Sequence, residues 1–258
     1  AKVTKYLDID LFTYVVDNKE VNDMKLSFLR SGVPEFDADT DIAFVQILRQ
    51  VAANNKIKYI LEGHSFLTEG ISPVGSNYLD GGYVADGHKK FGILKMKSFP
   101  NMTFFQFMKW TLLYRQKFIR PLWYINYSKE EAKKILNEKM GWQYYDGHHL
   151  ENRASMFSHT IWLPRYGTDF RYLSLAANVR NNKIERHQAL KEMNKPIIKS
   201  TMLINYVKKR LNLNDKEYDE IMNGTKRTWR EFKSYKKRFE ILKPIFYILM
   251  KLNLVPVT

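Results

Sequence analysis

The sequence contains no cysteine, which excludes disulfides and any thiolate-held metal within it. It also has no long hydrophobic run: the longest late one, Ile245 to Met250, is far too short to span a bilayer. No early segment joins a basic start, an apolar stretch and a small-residue cleavage site, so no secretion signal is read. A cytoplasmic chain without a transmembrane segment is therefore expected. Acidic residues run short in the second half. Residues 119–258 carry 27 Lys and Arg against 14 acids, whereas residues 1–118 carry 15 against 13. Such a field attracts polyanions, whether nucleic acid, nucleotide sugar or an anionic membrane surface, although a solvated lysine-rich face explains it as well.

What is present is a folding chain of 258 residues, 45% apolar and 14% aromatic, enough for a sizeable core. The near-continuous apolar run DIDLFTYVVD, residues 8–17, predicts a strand buried on both faces. NKEVNDMKLSFLRSG predicts a helix closed by Gly32. Asp39 or Thr40 is placed to cap a second helix, apolar round most of its circumference as a crossover on a sheet would be. IKYILEG then predicts a second buried strand ending at Gly63. Strand, helices, strand is an α/β pattern with a parallel sheet, and the chain reads as starting inside it, earlier strands being removed or supplied elsewhere. The glycine density between Gly63 and Gly92 makes the stretch from Gly63 to Pro100 loop-like, and so long a loop points to function. Beyond Pro100 the pattern turns helical. A helix is expected to start at Asn101, another is capped by Ser128 with Glu131 and stopped by Gly141, and more are expected near 168–180, 184–193, 199–212, 215–223 and 239–252. The division expected is an α/β domain over 1–100 and a mainly helical region over 101–258.

Three stretches have the residue types for chemistry. In open parallel sheets ligands bind beyond the carboxyl ends of strands, which puts Gly63, His64, Ser65 and Glu69 of YILEGHSFLTEGISP at a candidate crevice; an ordinary strand-to-loop turn is the alternative. GWQYYDGHHLENR gathers Asp146, His148, His149, Glu151 and Arg153, suited to acid–base work, with a spacing that matches no usual zinc pattern. Asp169 and Arg171, followed by Arg186 and His187, offer planar forks for carboxylates and phosphates, or simply helix-surface ion pairs. GYVADGHK, residues 82–89, mimics a phosphate loop but has His88 where lysine is required, and is not read as one. The tail KRTWREFKSYKKRFEILKP interleaves aromatics with basic residues. The pattern suits single-stranded nucleic acid, but spacings of three and four more often mark a packed helical face.

Taken in order, FLRSGVPEFDADTDIAF, IKYILEGHSFLTEGISP, KKFGILKMKSFPNMTF, EKMGWQYYDGHHLENRASMF, WLPRYGTDFR and ERHQALKEM resemble the N-acetyl sugar amidotransferase family of lipopolysaccharide and flagellin-glycan pathways. They cover nearly the whole chain to about residue 225. The resemblance implies a truncated parallel-sheet PP-loop core, of the adenine nucleotide α-hydrolase-like kind, followed by a mainly helical C-terminal region. It implies an enzyme that adenylates the N-acetyl amide of a nucleotide-linked sugar with ATP and Mg2+. Ammonia from a glutamine amidotransferase subunit then leaves an acetamidino group. Catalytic roles would fall to His149, Glu151 and Asp169, and ATP or substrate binding to Gly63, His64, Ser65, Glu69, Arg153, Arg171 and Arg186, with no resident metal site. The family's leading cysteine pairs and S-G-G-x-D-S loop do not occur in this sequence, a usual lysine is His148, and a usual serine is Asn152. On this reading the chain alone does not turn over ATP. A PP-loop enzyme acting on tRNA, or a non-catalytic interaction module, is the alternative.

Overall fold

The computed structural model describes residues 2–70, 78–144, 153–196 and 200–252. After a short helix α1 (Lys2–Tyr6), α2 (Asn18–Ser31) is capped by Asp17, whose carboxylate accepts from the backbone N–H of Lys19 and Glu20. It ends at Gly32, which has φ 76. A Cβ there would lie 2.0 Å from the Thr225 carbonyl oxygen, so both the left-handed turn and the close approach require glycine.

Helix α2 lies between two cores, which fixes the architecture. One face buries Met24 and Phe28 against Tyr83 and Val84 of α5 (Gly81–Phe91), with Trp229 and Phe232 from the C-terminal region. The other buries Leu26 and Leu29 against Phe157 and Ile161 of α8 (Arg153–Tyr166) and Leu203, Val207 and Leu211 of α11 (Thr201–Leu211). Each such fully buried side chain contributes about 1.5–3 kcal/mol. Residues on both sides of position 100 share each core.

The sheet described has two parallel strands, β1 (Tyr59–Leu61) and β2 (Lys117–Ile119), with Ile60 opposite Phe118. Helix α3 (Ala38–Asn54) precedes β1, and α6 (Phe104–Met108), continued by a π-helical turn over Lys109–Leu113, precedes β2. Buried beside the sheet is Arg49. Its guanidinium sits 5.3 Å from the Phe107 ring centroid and 5.0 Å from that of Phe118, and burial lowers its pKa to about 10.

Four expectations are corrected. Residues 9–16 form no strand: Leu11, Phe12 and Val15 are exposed, and an extended run becomes a strand only where a neighbour takes its N–H and C=O groups. The supposed loop from Gly63 to Pro100 contains α5. Its glycines serve helix packing, since a Cβ on Gly81 would meet the Met102 carbonyl oxygen at 1.7 Å. The cap of α3 is Asp37, and α6 starts after Thr103, whose hydroxyl and Gln106 form a capping box. The region before α9 (Arg171–Arg180) holds α8, unread because Pro164 interrupts its pattern.

The short α4 (Phe66–Glu69) also lies in the stretch expected to be loop, whereas α7 (Lys129–Met140), α10 (Arg186–Met193), α12 (Asp215–Asn223) and α13 (Lys236–Lys251) fall close to expectation. GYVADGHK is α5 itself, with His88 paired at 2.7 Å to the buried Asp23. In the basic tail Trp229 and Phe232 are buried, as core packing demands.

Candidate functional site: an acidic cleft between α3 and α8

The segment Val33–Asp41 leaves α2 at Gly32 and turns into α3, setting Glu35, Asp37, Asp39 and Asp41 at alternate positions. Across from it lies α8, anchored because Trp162 donates its indole N–H to the Pro34 carbonyl at 2.8 Å and Tyr166 its hydroxyl to that of Val33 at 2.8 Å. Between them is a cavity of about 360 Å³, lined by Glu35, Asp37 and Asp41 on one wall and Ser158, His159 and Trp162 on the other. Phe170 closes one side, its ring centroid 3.6 Å from that of Trp162 and 4.6 Å from that of His159. Tyr78 and Leu79 close another.

The electrostatics of the acidic wall are uneven. Glu35 receives the Tyr83 hydroxyl at 3.1 Å on Oε2, while Oε1 is buried with no hydrogen-bond partner. Burial raises its pKa above the ordinary carboxylate value, outweighing the hydrogen bonds it accepts. Asp41, at the exposed rim, is raised first by partial desolvation and then by the like charges of Asp37 and Asp39. Lys25 of α2 balances the inner pair, 2.5 Å from Asp37 and 3.0 Å from Asp39. Burial alone disfavours the Lys25 ammonium, but the charges of Asp39 and Asp37 hold its pKa above the lysine value. Burial presses Asp39 toward its neutral form against the pull of Lys25. The like charge of Asp37 adds to the effect of burial, and Lys25 at 3.0 Å offsets only part of it. The cleft therefore offers proton-exchanging carboxyls at Glu35 and Asp41, facing a histidine and an aromatic stack.

The residues expected from sequence are distributed as follows. Gly63, His64, Ser65 and Glu69 do follow the end of β1, in a turn where two of the four side chains pair with each other. His64 Nδ1 pairs with Glu69 at 2.7 Å, and Ser65 is buried at the start of α4 with its hydroxyl lacking a hydrogen-bond partner. A Cβ on Gly63 would meet nothing within 4 Å, so no close approach uses this glycine. Beside the turn Arg120 binds Glu62 at 2.7 Å and lies over the Trp123 ring.

Asp169 and Arg171 pair with each other. The Arg171 Nε donates to both Asp169 oxygens, Nη2 to Asp169 and the Met193 carbonyl, and Nη1 to the Glu192 and Lys195 carbonyls. All five N–H groups are thus engaged, tying α9 to the C-terminal end of α10. Burial works to raise Asp169, but the hydrogen bonds and charge of Arg171 hold it below the usual carboxylate range, with His159 adding to the effect. Arg153 opens α8 with its guanidinium 4.1 Å from the Tyr206 ring centroid, and Arg186 is the exposed first residue of α10. His149 and Glu151 lie outside the described residues. So the structure joins Asp169 to His159 and the cleft, and links the strand-end turn to the same region through α9, whose Leu173 abuts Gly70. It seats Arg153 of α8 apart from these, against Tyr206 of α11.

Sequence reasoning missed Glu35, Asp41, His159, Trp162 and Phe170. The signal available is the acid at every second position after Pro34, of which the sequence reading assigns a role only to Asp39, as a helix cap.

Among the described residues no group of three or more His, Cys, Asp or Glu side chains is arranged to hold a metal ion. No helix N-terminus there presents a glycine-rich phosphate cradle either: that of α5 is filled by Asp80, which accepts from the Tyr83 N–H at 2.7 Å.

No curated protein and no solved structure matches the chain. Residues 151–245, which contain α8 and the aromatic wall of the cleft, match the family described as LPS biosynthesis protein WbpG-like, C-terminal domain. That part of the chain is therefore similar to a family of lipopolysaccharide biosynthesis proteins.

Proposed function

We propose that the chain holds the sugar in an amidotransferase of lipopolysaccharide biosynthesis, an enzyme that converts the N-acetyl group of a nucleotide-linked sugar to an acetamidino group. The observation that carries this is the cleft between α3 and α8, whose aromatic wall belongs to the segment similar to the lipopolysaccharide family. A pyranose has a belt of hydroxyls and an apolar C–H face. Carboxylates accept from the first, and the Trp162–Phe170 pair packs against the second.

The reaction needs a group to receive the amide N–H proton as the amide oxygen becomes a leaving group. Glu35, as a carboxylate whose affinity for a proton is raised by burial, suits that exchange. His159, with the Asp169 charge beside it, orients the acetamido group from the opposite wall. In PP-loop-type chemistry ATP with Mg2+ supplies the adenylyl group. The described residues do not fit its triphosphate. Ammonia would come from a glutamine-hydrolysing partner, in the cytoplasm. A tRNA substrate is not favoured, because the aromatics best spaced to stack bases, Trp229 and Phe232, are buried.

The test is mass spectrometry of UDP-linked N-acetyl sugars incubated with the protein, ATP, Mg2+, glutamine and the glutaminase. Replacement of the amide oxygen by NH is expected, with its rate cut about a hundredfold by Glu35→Gln. No exchange on any such sugar, or full activity in the variant, overturns the proposal.

A further inference from the structure

Helix α13 has sixteen residues, KKRFEILKPIFYILMK, and not one of them is buried. One side leans on the protein, where Phe239 and Phe246 approach the Phe107 ring at 5.2 and 6.5 Å. On the opposite side Ile241, Ile245, Ile248 and Leu252 recur at i, i+4, i+7 and i+11, a single stripe along the helix. They are 76%, 53%, 58% and 62% exposed. An isolated exposed isoleucine needs no explanation, but three in register on one helix face, continued by Leu252 at its C-cap, do.

The charges on this helix have one predominant sign. Lys236, Lys237, Arg238, Lys243 and Lys251 stand against a single acid, Glu240. At 100° per residue Lys237 and Arg238 flank the start of the stripe and Lys251 its end. The Lys251 ammonium lies 4.9 Å from the Tyr247 ring centroid, so its stem runs along apolar surface while its head stays in water. No helix of the described residues is long and apolar enough to cross a membrane, so the stripe is not part of a span.

We propose that α13 is an interfacial helix that docks this protein on an anionic phospholipid bilayer. The apolar stripe enters the boundary between headgroups and acyl chains, and Lys237 and Lys251 meet lipid phosphates, while Arg238 lies over the Phe104 and Tyr235 rings. Charge complementarity selects this occupant. Two copies of a helix with five cations and one acid would repel across an isologous contact, and nucleic acid has phosphates for the lysines but no apolar layer for the isoleucines. The proposal is independent of the reaction assigned to the cleft.

The experiment is co-sedimentation of the whole chain with vesicles of phosphatidylglycerol and phosphatidylethanolamine, and separately with pure phosphatidylcholine vesicles. The wild type should pellet with the anionic vesicles about tenfold more strongly than with the neutral ones, and the difference should shrink as salt is raised. The double substitution Ile245→Asp and Ile248→Asp should leave the protein in the supernatant with an unchanged circular dichroism spectrum, because both side chains are already exposed. Lys237→Glu with Lys251→Glu should remove the anionic preference. The inference is overturned if the wild type pellets with neither vesicle, if the aspartate variant pellets as well as the wild type, or if sedimentation shows a dimer that the aspartates dissociate.

Discussion

Replacing Arg171 by alanine separates a structural arginine from an anion-binding one. The guanidinium is engaged at all five N–H groups, in a pair whose side chains are 29% exposed on Arg171 and 11% on Asp169. Breaking a fully buried ion pair costs about 3–5 kcal/mol and breaking an exposed one about 0–1 kcal/mol. A pair at this depth, with three carbonyls of the α10 end also released, falls between, at about 2–3 kcal/mol. For a chain of this size that lowers Tm by roughly 5–10 °C. Arg171→Lys keeps the charge but cannot reach three carbonyls and a carboxylate together, so it recovers only part of the loss. Differential scanning calorimetry reads the shift, and titration with UDP-N-acetylglucosamine below the transition reads binding, which should stay within about twofold of wild type. An unchanged Tm with lost binding would refute this reasoning and return Arg171 to the role its sequence suggests.

Asp169 has a depressed pKa, so its contribution to stability is present above the unfolded value of 3.8 and is lost as pH falls through the folded one; Asp169→Asn should flatten the acid limb of a Tm–pH profile. Glu35 has the opposite sign: its folded pKa is raised above 4.5, so wild-type stability declines as pH rises through that window, and Glu35→Gln should remove the decline in the same profile. Gly81→Ala drives a Cβ into the Met102 carbonyl and should cost about 1–3 kcal/mol by urea denaturation. Arg49→Met exchanges a buried cation between two phenylalanine rings for an apolar chain of similar reach, and should be neutral or stabilising in the same assay.

The sequence made some elements legible and concealed others for identifiable reasons. Helices α2, α7 and α12 could be read because their ends are written locally: Asp17 and Gly32, Ser128 and Gly141, Asn214 and Gly224. Helix α5 was hidden by its own packing, since Gly81, Gly82 and Gly87 signal loop to a reader of propensity but let α5 approach its neighbours in the fold. Apolar residues 9–16 carry a strand's pattern without a strand's partner, and pairing is not a local property. The cleft was half visible. The motif SGVPEFDADTD carries part of the resemblance, but its facing wall lies more than a hundred residues later on α8. Only tertiary contacts such as Trp162 to Pro34 and Tyr166 to Val33 bring the two together. Arg171 shows the converse, a sequence signal for ligand binding that the fold spends on a helix end.

The central claim is that the cleft between α3 and α8 binds a nucleotide-linked N-acetyl sugar. Isothermal titration of the chain with UDP-N-acetylglucosamine tests it most directly, run on wild type, His159→Ala and Asp41→Asn, with Arg186→Ala as a control outside the cleft. The account predicts saturable binding by wild type and the control, and at least about tenfold weaker binding by both cleft variants at unchanged Tm. Absence of binding, or equal affinity in all four proteins, would contradict it.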